Sequence, residues 1–340
     1  AEARRSLSMN DVPFSGTDFW TAYELARLDR DGMPKLAIAD ISVACESKNI
    51  IESKSMKLYL NSFYNKKLEN GHAVAGKIRS ELSKETGGAV NVKLFTLDKF
   101  RRDLPNQFIN AGISEQNIIS VAAGLSKFKK KVFVYSIASF ITLRSFEQIK
   151  IDLNIMNLPV IIFGVGASCS YDTAGPTHHS IDDISLFRTL KNMNLYSPTD
   201  NNILKNIFYF LKKKPKLSYL RLDRMNLNII SKKNVKIKKT FQIFGKKTKN
   251  AIISTGYTTH VMNELRIDLL KNNTHFTLID IFQIKPLNEK QLKLYLKSFK
   301  NIIVVEEHTI NGGIGSIISE LKSDYDLKFK LKRFGIKDKN

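Results

Sequence analysis

After about residue 108 the chain follows one repeating grammar, in which short apolar runs alternate with longer segments of helical spacing. The runs are "KVFVYS" (131–136), "PVIIFGVG" (159–166), "LSYLRL" (217–222), "NAIISTG" (250–256), "FTLIDIF" (276–282) and "NIIVVEE" (301–307). Between them lie "LRSFEQIKIDLNIM" (143–156), "NILKNIFYFLKK" (202–213), "HVMNELRIDLLKN" (260–272) and a segment that opens near Gly315. Short apolar strands separated by amphipathic helices build parallel sheets with helices over their faces, so this part is α/β.

The first hundred residues read differently. "KLAIADISVA" (35–44), "SMKLYLNSF" (55–63) and "AVNVKLFTLD" (89–98) read as strands and "AVAGKIRSELSKE" (73–85) as a helix, an antiparallel α+β pattern. Composition changes at the same place, with ten alanines in residues 1–100 and seven in all the rest. Residues 1–100 hold 15 Lys+Arg and 13 Asp+Glu, so +20 of the formal charge of +22 falls on the other 240 residues. A basic stretch at 231–249 interrupts the α/β grammar. Three segments follow: 1–100, 101–235 and 236–340.

The positive charge raises the possibility of nucleic-acid binding, but it is spread along the chain. "LKKKPK" and "SKKNVKIKK" have the look of solvated loops and strand edges, not of basic residues interleaved with aromatics on one face. A nucleic-acid partner is therefore not expected. Nor is a membrane, because the longest apolar run, "LPVIIFGVGA" (158–167), falls short of the roughly 20 residues a spanning helix needs. "AEARRSLSMND" has no apolar core of a secretory signal. Cys45 and Cys169 stand far apart and outside any CxxC pair, which points to a reducing compartment, the cytoplasm, and to neither disulfides nor a zinc site.

Glu115, in "FINAGISEQNIISVAAGLSKF" (108–128), opens a segment of small and apolar residues. By itself it is an acid in a first helical turn, where the dipole favours it by about 0.3–1 kcal/mol. Its company changes that reading. "FINAGISEQNIISVAAGLS", "YSIASFITLRSFEQI", "LPVIIFGVGASCSYDTAGPTHHSIDDISLFRTLKNMNLYSPTD", "IDIFQIKPLN" and "VVEEHTINGGIGS" stand in the order found in the transketolase family, which also includes 1-deoxyxylulose-5-phosphate synthase. Residues from about 105 to 335 resemble its pyrimidine-binding domain followed by its C-terminal domain. The match as read here lacks the helix and first strand that normally precede "FINAG".

The resemblance implies thiamine diphosphate as cofactor and ketol transfer between sugar phosphates. It makes Glu115 the acid that hydrogen-bonds N1′ of the aminopyrimidine ring, and an apolar, water-poor setting strengthens such a bond. Phe140, in "ASFITLR", is the candidate ring stacker. It stands one position further from Arg144 than in the synthases, so Ile141 competes for that place. In "GPTHHS" the resemblance selects His178 over His179 as the residue that meets substrate oxygens and shuttles protons. Arg144 and Arg224, the latter in "RLDR", match positions that bind a substrate phosphate, for which a guanidinium fork is suited. "GGIG" (312–315) reads as a helix-entry turn. The family anchors the diphosphate and Mg²⁺ through a GDG motif on another domain, and no GDG occurs in this sequence. The resemblance therefore calls for a partner chain, the diphosphate-binding transketolase N-terminal subunit, in an oligomer.

Residues 12–68 resemble instead the N-terminal half of 7-cyano-7-deazaguanine reductase, the NADPH-dependent nitrile reductase of queuosine biosynthesis, a tunnel-fold enzyme. "ESKSMKLYL" (52–60) matches its signature, which would make Lys54, Ser55 and Lys57 NADPH-phosphate ligands. On a strand Lys54 and Lys57 would face opposite sides. That family's nucleophilic cysteine lies in a CPxTGQPD-like loop with no counterpart here, and Cys45 reads as a small buried residue. The fold expected is thus a parallel-sheet pyrimidine-binding domain and a transketolase C-terminal domain, preceded by a partial α+β tunnel-fold segment, joined near 98–105. Three functions compete: a transketolase-like subunit, an NADPH-binding reductase fragment, and an inactive fusion of two partial domains.

Overall fold

The computed structural model of the chain describes residues 16–32, 34–96, 104–225, 227–232 and 235–337. It divides into two compact units, Ala1–Gly112 and Ile113–Asn340. The junction expected near 98–105 falls largely outside the described residues.

In the first unit, strands β1 (Thr17–Leu28), β2 (Pro34–Ala44) and β3 (Val90–Thr96) form an antiparallel sheet in that order. Two helices, α1 (Ser53–Asn61) and α2 (Gly71–Thr86), lie between β2 and β3 in the chain. Alternation along β2 buries Ala39, Ile41 and Val43, which pack with Val74, Ile78 and Leu82, one turn apart on α2. Asn70 starts α2 by accepting from the Ala73 N–H, and Gly87, at φ +66°, ends it in the left-handed conformation a side chain resists.

The strand expected at 55–63 is corrected by this structure, because Ser53–Asn61 is helical. The Glu52 carboxylate caps it, accepting from the N–H groups of Lys54 and Ser55 at 2.8 and 2.7 Å. Met56, Leu60 and Phe63 are buried while Leu58 is exposed, which is helical spacing. The alternation of Met56, Leu58 and Leu60 spans too few residues to separate a period of 2 from one of 3.6. Strand β1 is an addition to the sequence reading.

The second unit runs α3 (Glu115–Lys127), β4 (Phe133–Ile137), β5 (Ile161–Val165), α4 (Asp183–Arg188), β6 (Asn194–Tyr196), α5 (Asn201–Lys213) and β7 (Ser218–Leu222). It continues with β8 (Phe241–Phe244), β9 (Asn250–Ser254), α6 (Tyr257–Lys271), β10 (Thr277–Ile281), β11 (Gln283–Lys285), α7 (Glu289–Leu296), β12 (Asn301–Thr309), α8 (Ile314–Asp324) and β13 (Lys330–Ile336). The first sheet has the order β11-β6-β7-β5-β4, parallel except for β11. The second has the order β13-β12-β9-β10-β8, parallel except for β8. Strand β11 follows β10 in the chain yet joins the first sheet, and one apolar cluster including Ile119, Ile162, Phe187, Ile281 and Val304 runs through both halves.

Between β4 and β5 the helical segment is not a plain α-helix. It consists of a π-helical turn, Phe140–Arg144, one α-turn, Phe146–Gln148, and a second π-helical stretch, Ile149–Ile155. A π turn takes one more residue than an α turn. The extra position between Phe140 and Arg144 is accommodated there: Ile141 is wholly buried in the core and Phe140 is only half-buried.

Candidate functional site

Strands β4, β5 and β7 are neighbours, and the segments leaving their carboxyl ends carry Phe140, the loop 166–178 and Arg224. Open parallel sheets place their ligand sites at such strand ends. Glu115, first residue of α3, is 7% exposed. Small residues on the same helix, Ala122 and Ala123, are buried in the core beside Ile119 and draw α3 close to the sheet.

Five residues singled out by the sequence meet here in one run of contacts. The Arg144 Nη1 donates to Glu115 Oε2 at 2.6 Å. The Arg144 guanidinium lies over the Phe140 ring, 4.6 Å from its centroid. Phe140 meets the His178 ring edge to face at 5.0 Å, and His178 meets the Tyr171 ring at 5.8 Å. The Arg224 guanidinium covers Tyr171 at 5.0 Å. Cation–ring contacts of this kind contribute about 0.5–1 kcal/mol each where they are exposed. Arg144 thus engages a carboxylate and an aromatic face, where the sequence reading assigns it a phosphate.

The backbone that delivers these groups is specific. Gly166, just past β5, has φ +81°, and a Cβ there would collide with the Tyr171 ring. Gly175, at φ +78°, turns the chain into Pro176–His178. The Thr177 hydroxyl lies 3.0 Å from His178 Nδ1. The neighbouring His179 has its Nε2 buried with no hydrogen-bond partner among the described residues.

Behind the loop sits a polar network that sequence reasoning missed. Arg221 Nε donates to both oxygens of Asp183, at 3.0 and 2.9 Å, and the Tyr219 hydroxyl donates to Asp183 Oδ2 at 3.0 Å. Arg221 Nη2 donates to the Ser168 hydroxyl and to the Glu307 carbonyl, tying the loop after β5 to β12. Burial and the Asp183 charge push the Tyr219 hydroxyl well above its ordinary range. The only sequence signal for this set is an acid at the start of a short helix.

The "GGIG" turn is the entry to α8, and an internal acid fills it: Glu306 Oε2 accepts from the Ile314 N–H and Oε1 from the Gly315 N–H, at 2.7 and 2.9 Å. Burial pushes the Glu306 carboxyl up to about 7. In the first unit, Lys54, Ser55 and Lys57 are exposed on α1, and the Ser55 hydroxyl donates to Glu52 at 2.9 Å. Three residues apart on a helix, the two lysines share a face, which corrects their opposed placement on a strand. Cys45 is buried, as expected of a small apolar residue. No helix among the described residues is long and apolar enough to cross a membrane.

A buried carboxylate beside a half-buried aromatic ring fits a flat heteroaromatic base with a hydrogen-bonding ring nitrogen. A divalent metal finds less: among the described residues no group of three or more His, Cys, Asp and Glu is placed to hold one.

Two parallel sheets sharing a core, with a carboxylate, an aromatic and a histidine at strand ends, define a ligand-binding α/β protein of the doubly wound class. Family models describe the rest: the transketolase pyrimidine-binding domain matches residues 64–229 and the transketolase C-terminal domain residues 241–339. The chain is 31% identical over 240 residues to a subunit of the apulose-4-phosphate transketolase of Actinobacillus succinogenes, covering 70% of this chain and 77% of that one. A solved split-gene transketolase, an inactive beta4 tetramer, is similar at TM-score 0.64 and 26% identity, over 71% of this chain and 79% of its own. The chain belongs to the transketolase family, and its second unit is of the kind found in transketolase C-terminal subunits.

The N-terminal part of the nitrile reductase 7-cyano-7-deazaguanine reductase matches residues 1–94. The NADPH-dependent 7-cyano-7-deazaguanine reductase of Desulfotalea psychrophila is 49% identical over 100 residues, 29% of this chain and 36% of that one. The two family matches overlap at residues 64–94, since the pyrimidine-domain match reaches upstream of residue 105, where the sequence reading begins it. In the structure this overlap carries α2 and most of β3, and both belong to the antiparallel first unit.

Proposed function

We propose that the chain is the C-terminal subunit of a thiamine-diphosphate-dependent transketolase, moving a ketol unit between sugar phosphates in a complex with a chain that holds the diphosphate and Mg²⁺. The observation that carries this is the continuous run Glu115–Arg144–Phe140–His178–Tyr171–Arg224 at the carboxyl ends of β4, β5 and β7. Glu115 and Phe140 would hold the aminopyrimidine ring of the cofactor. When bound, that cofactor supplies a carbon nucleophile and an electron sink for the ketose carbonyl.

The chain's own residues do the rest. Glu115, fixed in a water-poor position, exchanges a proton with a ring nitrogen through its carboxylate. His178, with Thr177 at Nδ1, takes and returns a proton at Nε2 on substrate oxygens. Arg224, fixed over Tyr171, presents its fork to a phosphate. The family resemblance, together with the absence of a GDG motif and of a metal-ligand cluster among the described residues, supports a shared site.

Calorimetry with thiamine diphosphate and Mg²⁺, with and without a candidate N-terminal subunit, tests this. The chain alone is expected to give no ketose-phosphate turnover, and turnover by it would overturn the shared-site reading. In the reconstituted complex Glu115→Gln is expected to slow C2 proton exchange about 10²-fold or more, the loss typical of general acid–base help. A wild-type exchange rate with a lowered melting temperature would reduce Glu115 to a helix-stabilising acid.

The first unit has its own reading, favoured by its 49% identity to a nitrile reductase: an NADPH-binding fragment using Lys54, Ser55 and Lys57. NADPH titration of Lys54→Ala with Lys57→Ala tests it, and unchanged affinity would remove these residues from the site.

A further inference from the structure

We propose that the Arg144 side chain occupies the seat of the aminopyrimidine ring and must be displaced for that ring to bind, granted the cofactor site proposed above. Two contacts hold the guanidinium: Nη1–H donates to Glu115 Oε2 at 2.6 Å, and its carbon lies 4.6 Å from the centre of the Phe140 ring. A flat aminopyrimidine, protonated at a ring nitrogen, asks for the same two things: an N–H directed at the Glu115 carboxylate and a face against Phe140. Guanidinium and protonated aminopyrimidine are both planar, delocalised N–H cations, so one can stand in for the other.

The seat does not hold both. The Phe140 ring already meets His178 at 5.0 Å and 62°, and Arg144 takes its other contact. Exposure decides which partner yields. The Glu115 side chain is 8% exposed and fixed at a helix start, whereas the Arg144 side chain is 47% exposed. The arginine can swing into solvent without disturbing the core, and the glutamate cannot. Arg144 also ends a π-helical turn, which departs from regular α-helical packing. Once released, the guanidinium becomes available to an anionic substrate group, so that seating of the ring precedes capture of the phosphate.

Displacement lowers apparent affinity by the fraction of molecules in which the seat is open. The probe is the cofactor's pyrimidine fragment alone, 4-amino-5-hydroxymethyl-2-methylpyrimidine, titrated into the full chain by ligand-observed NMR, which needs no diphosphate anchor. Arg144→Ala and Arg144→Met are expected to bind it roughly tenfold more tightly than the wild type, the scale of one half-exposed ion pair. Equal or weaker binding by both variants overturns the displacement. Glu115→Gln in the Arg144→Met background is expected to abolish that gain. If it does not, the ring is not held by Glu115, and the site proposed above falls with the inference. Failure of every form to bind the fragment overturns both. Thermal unfolding of each variant confirms that it is folded.

Discussion

Two arginine–carboxylate pairs in the second unit are built in opposite ways. Arg221 and Asp183 are 6% and 0% exposed in their side chains, and Arg221 Nε reaches both carboxylate oxygens, with Tyr219, Ser168 and the Glu307 carbonyl completing the set. Arg144 and Glu115 share one bond at 2.6 Å, with the arginine 47% exposed. A charge pair removed from water persists only when its remaining donors and acceptors are satisfied, and the first pair meets that condition. The second leaves its arginine half in solvent, where exchange for another partner is inexpensive. The buried pair is therefore scaffold for the loop after β5, and the half-exposed pair belongs to the part of the site that changes partners.

The largest effect should come from breaking the buried pair. Arg221→Met leaves Asp183 without its cation at a site closed to water, and single-partner deletions of this kind cost about 3–5 kcal/mol. Urea unfolding of the full chain would measure it. The loop carrying Ser168 and Tyr171 should loosen as well, so a stability change below about 1 kcal/mol would end the distinction between the two pairs.

A smaller effect concerns pH. Glu306 holds its proton up to about 7 in the folded chain and to about 4.5 when unfolded. Between those values the folded form binds more protons, so this group lowers stability as pH rises from 4.5 to 7 and adds no further change above. Glu306→Gln removes that slope, a difference on the order of 2 kcal/mol across the window, at the cost of one of two backbone acceptor contacts. Melting temperatures of the two forms from pH 4.5 to 7.5 give the comparison. Parallel curves would mean that Glu306 is ionised throughout, as its two N–H partners favour.

Much of this is legible in the sequence because parallel strands are apolar in runs: β4, β5, β7, β9, β10 and β12 all lie on runs identified by pattern. The residues brought together at the strand ends are legible for a different reason, the order of family motifs, and spacing alone leaves Glu115 a helix-start acid. What stays hidden has physical causes. Asp183 finds Arg221 across 38 positions, a pairing no local pattern encodes. The short strands β6, β8 and β11 take their place from neighbours, with few residues of signal. Edge strand β13 carries charges on alternate positions, "KLKRFGI", and β1 mixes charged and polar residues throughout. The offset at Phe140 becomes intelligible only as a π turn.

The smallest expected effect sharpens the contrast from the other side. Arg144→Met keeps a long apolar stem over the Phe140 ring while deleting the bond to Glu115. Exposed and half-exposed pairs are worth about 0.2–1 kcal/mol, so global stability should fall by less than about 1 kcal/mol, several times less than for Arg221→Met. Salt should separate the two pairs further, since a pair open to solvent is screened at about 0.15 M ionic strength and an enclosed one is screened little. The stability difference between wild type and Arg144→Met should therefore shrink as salt is raised, whereas that for Arg221→Met should stay constant. A loss of about 3 kcal/mol or more on removing Arg144, unmoved by salt, would make the Glu115 pair scaffold too. A side chain bound that firmly would not give up its seat to an incoming ring.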